Sequence, residues 1–132
     1  MNNETKKVAT SFLNAVQQGN NELLAALLSP EIKWNQPGWN KIAGMKNSST
    51  EVFGMVGEMF RISENTLRLT EIKSVSVNEN KAACLLHWSA KTASGKILEV
   101  DNIDVYTVED GKIIAVEVYT SDQEQEDSFW VD

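Results

Sequence analysis

Apolar residues recur at helical spacing through the first eighteen positions. Val8, Ala9, Phe12, Leu13 and Val16 share one face, so Glu4 to Gln18 is predicted as an amphipathic helix. Gly19 ends it, and Asn20 or Asn21 caps a second, shorter helix carrying Leu23, Leu24, Leu27 and Leu28, which Ser29-Pro30 stops. Ile32 to Asn35 reads as a short strand bearing Trp34, and Gln36-Pro37-Gly38 opens a loop that runs to Ser48. Ser48-Ser49-Thr50-Glu51 has the form of a capping box, and Val52, Val56, Met59 and Phe60 then mark the apolar face of a third helix.

From Leu67 the period falls to two. Leu67 and Leu69 alternate with polar residues, as do Val75 and Val77, while Ile72 has the opposite parity; a bulge between Leu69 and Ile72 reconciles them. Asn78-Glu79-Asn80 is a turn, Lys81 to Ala90 is a strand, and Ser94-Gly95 turns it into the strand that carries Asp104. Val100 to Tyr119 reads as two long strands joined tightly at Asp110-Gly111. The acidic segment Ser121 to Trp130 is expected as a solvated short helix or arm whose aromatic end, Phe129-Trp130, docks on the body. Helices followed by antiparallel strands predict an α+β fold, with three N-terminal helices packed on one face of the sheet.

Composition narrows the function classes. The 132 residues suffice for one domain with its own core, and 42% hydrophobic with 23% charged residues is ordinary globular composition. A net charge of -7 without a basic patch argues against nucleic acid or an anionic membrane as partner. Cys84 and His87 are single, so neither an internal disulfide nor the usual zinc site is expected, and no metal or cofactor is implied. No apolar run approaches a membrane span, and the opening MNNETKK lacks a signal core, which reads as a soluble, cytoplasmic protein.

Asp104 is the residue that asks for chemistry, because a carboxylate in a strand meant for burial is expensive unless paired, protonated or used. A two-residue turn at Ser94-Gly95 would pair Ala93 with Lys96, setting His87 opposite Asn102 and Leu85 opposite Asp104. His87 and Asp104 would then be diagonal neighbours roughly 7–8 Å apart at the backbone. Val100, Asn102, Asp104 and Tyr106 would share that face with Leu85, His87 and Ser89, while Cys84, Trp88 and Asp101 would face the other way. In the last hairpin, a strict two-residue turn would put Glu117 and Tyr119 on the Asp104 face. A three-residue turn with a bulge at Gly111 would put Val116 and Val118 there, and this is favoured because it buries aliphatics.

The order of elements, with Trp34-Asn35-Gln36-Pro37-Gly38, Ala43-Gly44, Glu109-Asp110-Gly111-Lys112-Ile113, Tyr119, Asp122-Gln123 and Phe129-Trp130, resembles the nuclear transport factor 2-like superfamily and its SnoaL-like branch over nearly the whole chain. The resemblance implies a single SnoaL-like domain over residues 1–132, with a curved sheet wrapped around the helices as a cone open at one end. It also implies a homodimer packed through the sheet's outer face, to which strands apolar on both sides, such as Ile113-Ile114-Ala115-Val116, would contribute. Ketosteroid isomerases of the superfamily use a carboxylate base, and a Tyr with a protonated Asp as oxyanion donors. The base position is here Gln36, the Tyr position Phe12, and the Asp survives as Asp104 in Ile103-Asp104-Val105. An amide takes no proton and a phenyl donates none, which argues against steroid isomerisation itself. Members that hydrolyse epoxides would need an Arg beside two pocket carboxylates, and Arg61 and Arg68 do not fit that arrangement.

The functional expectation is a pocket for a small hydrophobic molecule. Asp104 and His87 would be its acid and base. Phe12, Trp34, Gln36, Met59, Phe60, Asn102, Tyr106, Val116 and Val118 would be its contacts. Cofactor-independent isomerase, cyclase or dehydratase chemistry would suit it. The alternatives are a non-catalytic small-ligand binder and a dimeric interaction domain, in which Asp104 and His87 would be a satisfied polar pair.

Overall fold

Four strands form an antiparallel meander from β3 (Arg68–Asn78) through β4 (Lys81–Lys91) and β5 (Ile97–Glu109) to β6 (Lys112–Thr120). The computed structural model describes residues 2–131. β1 (Leu28–Gln36) adds to β6 in parallel, and β2 (Gly44–Lys46) adds to β1 in antiparallel fashion. The sheet order is therefore β2-β1-β6-β5-β4-β3. Helices α1 (Asn2–Gln18), α2 (Asn21–Leu27), α3 (Ser49–Ile62) and α4 (Gln123–Phe129) complete an α+β cone, in which the curved sheet wraps the helices. No described helix is long and apolar enough to cross a membrane.

The amphipathic pattern explains the docking of α1. Val8, Ala9, Phe12 and Leu13 are buried against the sheet, and burial of Phe12 or Leu13 contributes about 2 kcal/mol each. Asn20 caps α2 by accepting the Leu23 N–H. Ser48 caps α3 through the Glu51 N–H, while Glu51 reaches back to the Asn47 N–H instead of that of Ser48.

Three expectations are revised along the chain. The second helix ends at Leu27, and Pro30 lies inside β1. It is tolerated there because β1 pairs with β6 at Leu28 and again only from Lys33, so Pro30 withholds no ladder N–H. The loop after Gln36 contains the short strand β2. On α3 the fully buried apolar residues are Val52, Met55 and Ile62, whereas Val56, Met59 and Phe60 stay half-buried because they border a cavity. The bulge expected in β3 is present, as register shifts at Leu69/Glu71 and Ile72/Ser74.

The β4–β5 register differs by one residue from expectation. Thr92 N–H bonds the Lys96 carbonyl at 2.9 Å, leaving the three-residue loop Ala93-Ser94-Gly95 in place of a two-residue turn. His87 consequently pairs with Asp101, Leu86 with Asn102, and Cys84 with Asp104. A one-residue slip exchanges the faces of a whole strand. In the last hairpin Val118 and Val116 do lie opposite Asp104 and Tyr106, by a different device from the one expected. The turn is two residues, Asp110 and Gly111, both at positive φ (51° and 75°), as a type I′ turn requires. The compensating bulge falls at Ile114, where Thr107 pairs with Ala115 but Val108 with Ile113.

Candidate functional site

Alternation along β5 turns Leu98, Val100, Asn102, Asp104, Tyr106 and Val108 inward, and all are buried. The β4 residues on the same face are Ala82, Cys84, Leu86, Trp88 and Ala90. Between this face and helices α1 and α3 lies a cavity of about 450 Å³. Gln17, Gln18, Asn21, Asn65 and Arg68 contribute polar groups to its lining, but its walls are mainly aliphatic and aromatic. Arg68 gives its guanidinium to the Asn65 and Leu67 carbonyls, and Arg61 pairs with Glu58.

The aromatic wall is built by contact. Phe12 meets Tyr106 edge-on, with ring centroids 5.3 Å apart, and is tilted against Trp34 at 6.5 Å. Trp34 Nε1 donates to Gln36 Oε1 at 2.9 Å. That bond takes up the amide oxygen and leaves the amide nitrogen as the group with which Gln36 can donate.

Asp104 is 4% exposed and lines the cavity. Tyr106 Oη donates to Asp104 Oδ2 at 2.9 Å, and Oδ1 has no partner. Burial pushes the carboxyl up to about 7; the Tyr106 hydroxyl opposes this rise and the negative charge of Glu126 adds to it. Burial also holds the Tyr106 phenol well above its ordinary value, so it remains a donor. With Oδ2 accepting from Tyr106, the proton of neutral Asp104 belongs on Oδ1, which makes the carboxyl a hydrogen-bond donor.

Phe12, Trp34, Gln36, Met59, Phe60, Asn102, Asp104, Tyr106 and Val118 line this one cavity. Two expected members do not. Val116 is buried on the same face, in register between Trp34 and Tyr106, and does not border the cavity. His87 lies on the outer face of the sheet, because of the three-residue loop. There its Nδ1 faces Asp101 Oδ1 and its Nε2 faces Glu99 Oε1, both at 2.7 Å. Glu99 and Asp101 together hold His87 above its usual value. Lys73 bonds Asp101 at 3.0 Å and Ser89 bonds Glu99 at 2.7 Å. Asp101, Leu85 and Ser89 share that outer face with His87, while Trp88 and Cys84, expected outside, face inward. The pairing of His87 with Asp104 is therefore corrected.

Glu126 was expected in a solvated tail, yet it is 4% exposed and borders the cavity. Its Oε1 accepts from Trp130 Nε1 at 3.2 Å. The Asn102 amide nitrogen faces Glu126 Oε2 at 3.1 Å, Thr120 Oγ1 at 3.0 Å and the Asp101 carbonyl at 2.9 Å. Burial holds Glu126 above its ordinary value, and the hydrogen bonds from Thr120, Trp130 and Asn102 offset only part of the rise. A signal for this was legible: Glu126 precedes Trp130 by four residues, so any helix that buries Trp130 turns Glu126 to the same side. Among the described residues, no group of three or more His, Cys, Asp or Glu side chains is arranged to hold a metal ion.

Residues 9–116 match the SnoaL-like domain family. No curated protein matches the sequence. Among solved structures, the chain is similar to a protein of unknown function with a cystatin-like fold from Xanthomonas campestris, at 31% identity over 100% of both chains and a TM-score of 0.93. It is also similar in fold to a nuclear transport factor 2-like protein from Burkholderia xenovorans LB400, at 15% identity over 98% of both chains and a TM-score of 0.81. A third similar fold is TerC co-crystallized with polyporic acid, at 12% identity over 89% of this chain and 92% of that one, with a TM-score of 0.79. With a family match across most of its length and a cone built around an inward-facing strand face, this chain belongs to the SnoaL-like domain family.

Proposed function

We propose that the cavity receives a small hydrophobic molecule bearing a carbonyl or hydroxyl oxygen, and that Asp104 donates to that oxygen as an acid. One observation carries the reading: Asp104 Oδ1 is buried without a partner in a site lined mainly by apolar groups. An orphaned buried oxygen costs about 1–3 kcal/mol, which a ligand oxygen placed against it recovers. A volume of about 450 Å³ suits a molecule of one to three rings. Phe12, Trp34, Met59, Phe60, Tyr106 and Val118 form the walls, and Gln36 offers a second donor. TerC, similar in fold, was co-crystallized with polyporic acid, which supports a small-molecule ligand for this cavity.

A neutral carboxyl that donates to a carbonyl stabilises the negative charge that develops when a neighbouring C–H is deprotonated. Cofactor-independent isomerase, cyclase or dehydratase chemistry follows from such a donor. The bicyclic ketone 2-tetralone is a suitable probe, with affinity read by calorimetry at pH 6. Asp104→Leu, which has a similar shape and nothing to donate, is expected to weaken binding about tenfold. Equal affinity in the variant would remove Asp104 from the ligand contacts.

A second reading is favoured by Gln36 and Phe12, which supply neither base nor hydroxyl. On this reading the protein holds its ligand without changing it. A compound extracted from the protein purified from its source, and recovered unaltered after prolonged incubation, would support it. Under either reading the protein works in the cytoplasm as a homodimer through the outer sheet face, where Ile103 (43% exposed) and Tyr119 (56% exposed) stand in register. A monomeric mass by light scattering at micromolar concentration would sink the dimer.

A further inference from the structure

Gln36 leaves the cavity without a base in the β1 position, but a second carboxyl enters it from α4. Resting on the reading of Asp104 as a ligand-facing acid, we infer that Glu126 is the general base of this cavity, removing a proton from the carbon next to the oxygen that Asp104 holds.

The two carboxyls lie in contrasting surroundings. Asp104 has a single donor, the Tyr106 hydroxyl, and one oxygen with no partner. Such a site favours the neutral acid. Glu126 accepts from Trp130 on one oxygen and faces the Asn102 amide nitrogen with the other, a set of donors that favours the carboxylate. With Thr120 as a third donor, three of the four lone-pair sites of the carboxylate are taken, and the fourth is left to accept a proton. Burial raises both carboxyls, but three donors oppose it at Glu126 and one at Asp104, so Glu126 is the member better able to ionise and Asp104 the one better able to stay neutral. The ionised member also disfavours ionisation of the other, which agrees with the rise that the Glu126 charge contributes at Asp104.

In the step, the ligand's α C–H bond breaks and its proton moves to Glu126. The bonding pair shifts into a carbon–carbon double bond as the carbonyl becomes an enolate, whose oxygen is held by the Asp104 hydroxyl. Return of the proton to the same carbon is exchange, and return to a conjugated carbon is isomerisation. No oxidant, reductant or further reactant is required.

The test is hydrogen–deuterium exchange of the α-protons of 2-tetralone in deuterated buffer, followed by NMR, with binding measured by calorimetry on the same samples. Wild-type protein is expected to bind 2-tetralone and accelerate exchange. Glu126→Gln should bind within about twofold and lose at least 100-fold in protein-catalysed exchange. Glu126→Asp, which keeps a carboxylate on a shorter arm, should recover part of that loss. The wild-type rate should rise with pH as Glu126 ionises and fall as Asp104 does. The limbs belong to the coupled pair, with Asp127 as the further charge acting on Glu126. A rate flat between pH 4 and 9 would overturn the assignment even where Glu126→Gln does not fold. Exchange by Glu126→Gln at the wild-type rate, or wild-type binding without exchange, would also overturn it and leave the binding reading standing. Failure of the wild type to bind 2-tetralone would overturn both.

Discussion

Replacing Asp104 by Asn should make the protein more stable in neutral solution and not in acid. In the unfolded chain the Asp104 carboxyl has its ordinary value of 3.8, and in the folded protein burial raises it to about 7. Below the unfolded value both states carry the neutral acid, and Asp104 costs nothing through ionisation. Between the two values the unfolded chain releases the proton and the folded protein keeps it, so stability falls as pH rises; above about 7 the loss is complete. A rise of roughly three pH units at about 1.4 kcal/mol each gives ~4 kcal/mol, an upper bound because water entering the cavity would ease the burden. Asparagine has the same shape, can still accept from Tyr106, and has no charge to bury. Urea unfolding of both proteins at pH 4.5, 6 and 8 measures the difference directly, since contributions from the other titrating groups largely cancel. The variant's advantage should grow by about 2–4 kcal/mol between pH 4.5 and 8. An advantage constant across that range would refute the claim that Asp104 is held neutral by its site.

Cys84 is fully buried and its thiol is pushed up to about 12 by burial and by the nearby Asp104, so it should resist a disulfide reagent at pH 8 until denaturant exposes it. His87→Gln should leave 2-tetralone affinity unchanged within twofold, because the imidazole lies on the face opposite the cavity; a tenfold loss would place it inside. Gly38→Ala should lower stability by about 2 kcal/mol in urea unfolding, because Gly38 sits at φ +106° and an added Cβ would collide with Gln123 Nε2 and Asp127 Oδ1.

Much of the frame was legible because long periodic segments leave little choice. The α1 face, the change of period at Leu67 and the tight turn at Asp110-Gly111 each follow from local physics. What escaped was parity. Ser94-Gly95 supports a two-residue or a three-residue loop almost equally well from composition, and the difference decides whether His87 or Trp88 enters the cavity. At the last hairpin the faces came out as expected, although the extra residue sits at Ile114 and not in the turn. β-Branched residues at Ile113 and Ile114 give no local sign of which one bulges. Glu126 was obscured by its neighbours: in an acidic segment one carboxylate looks like the next, and only its spacing from Trp130 sets it apart. Asp104 stood out for the opposite reason, as the single charge on a largely apolar strand face.

The parallel pairing of β1 with β6 has a consequence for how the cavity comes into being. Every other strand pair joins neighbours in sequence, whereas Asn35 and Glu117, bonded across this seam, are 82 residues apart. Closing so long a loop is entropically slow, so the β3–β6 meander is expected to form first and the β1 seam late in the folding reaction. Trp34 and Gln36 ride on β1, and Asp104 and Tyr106 wait on the meander. The cavity therefore has no half-built form. A ligand would meet it only after the folding transition state, and its energy would appear as slower unfolding with little change in the folding rate.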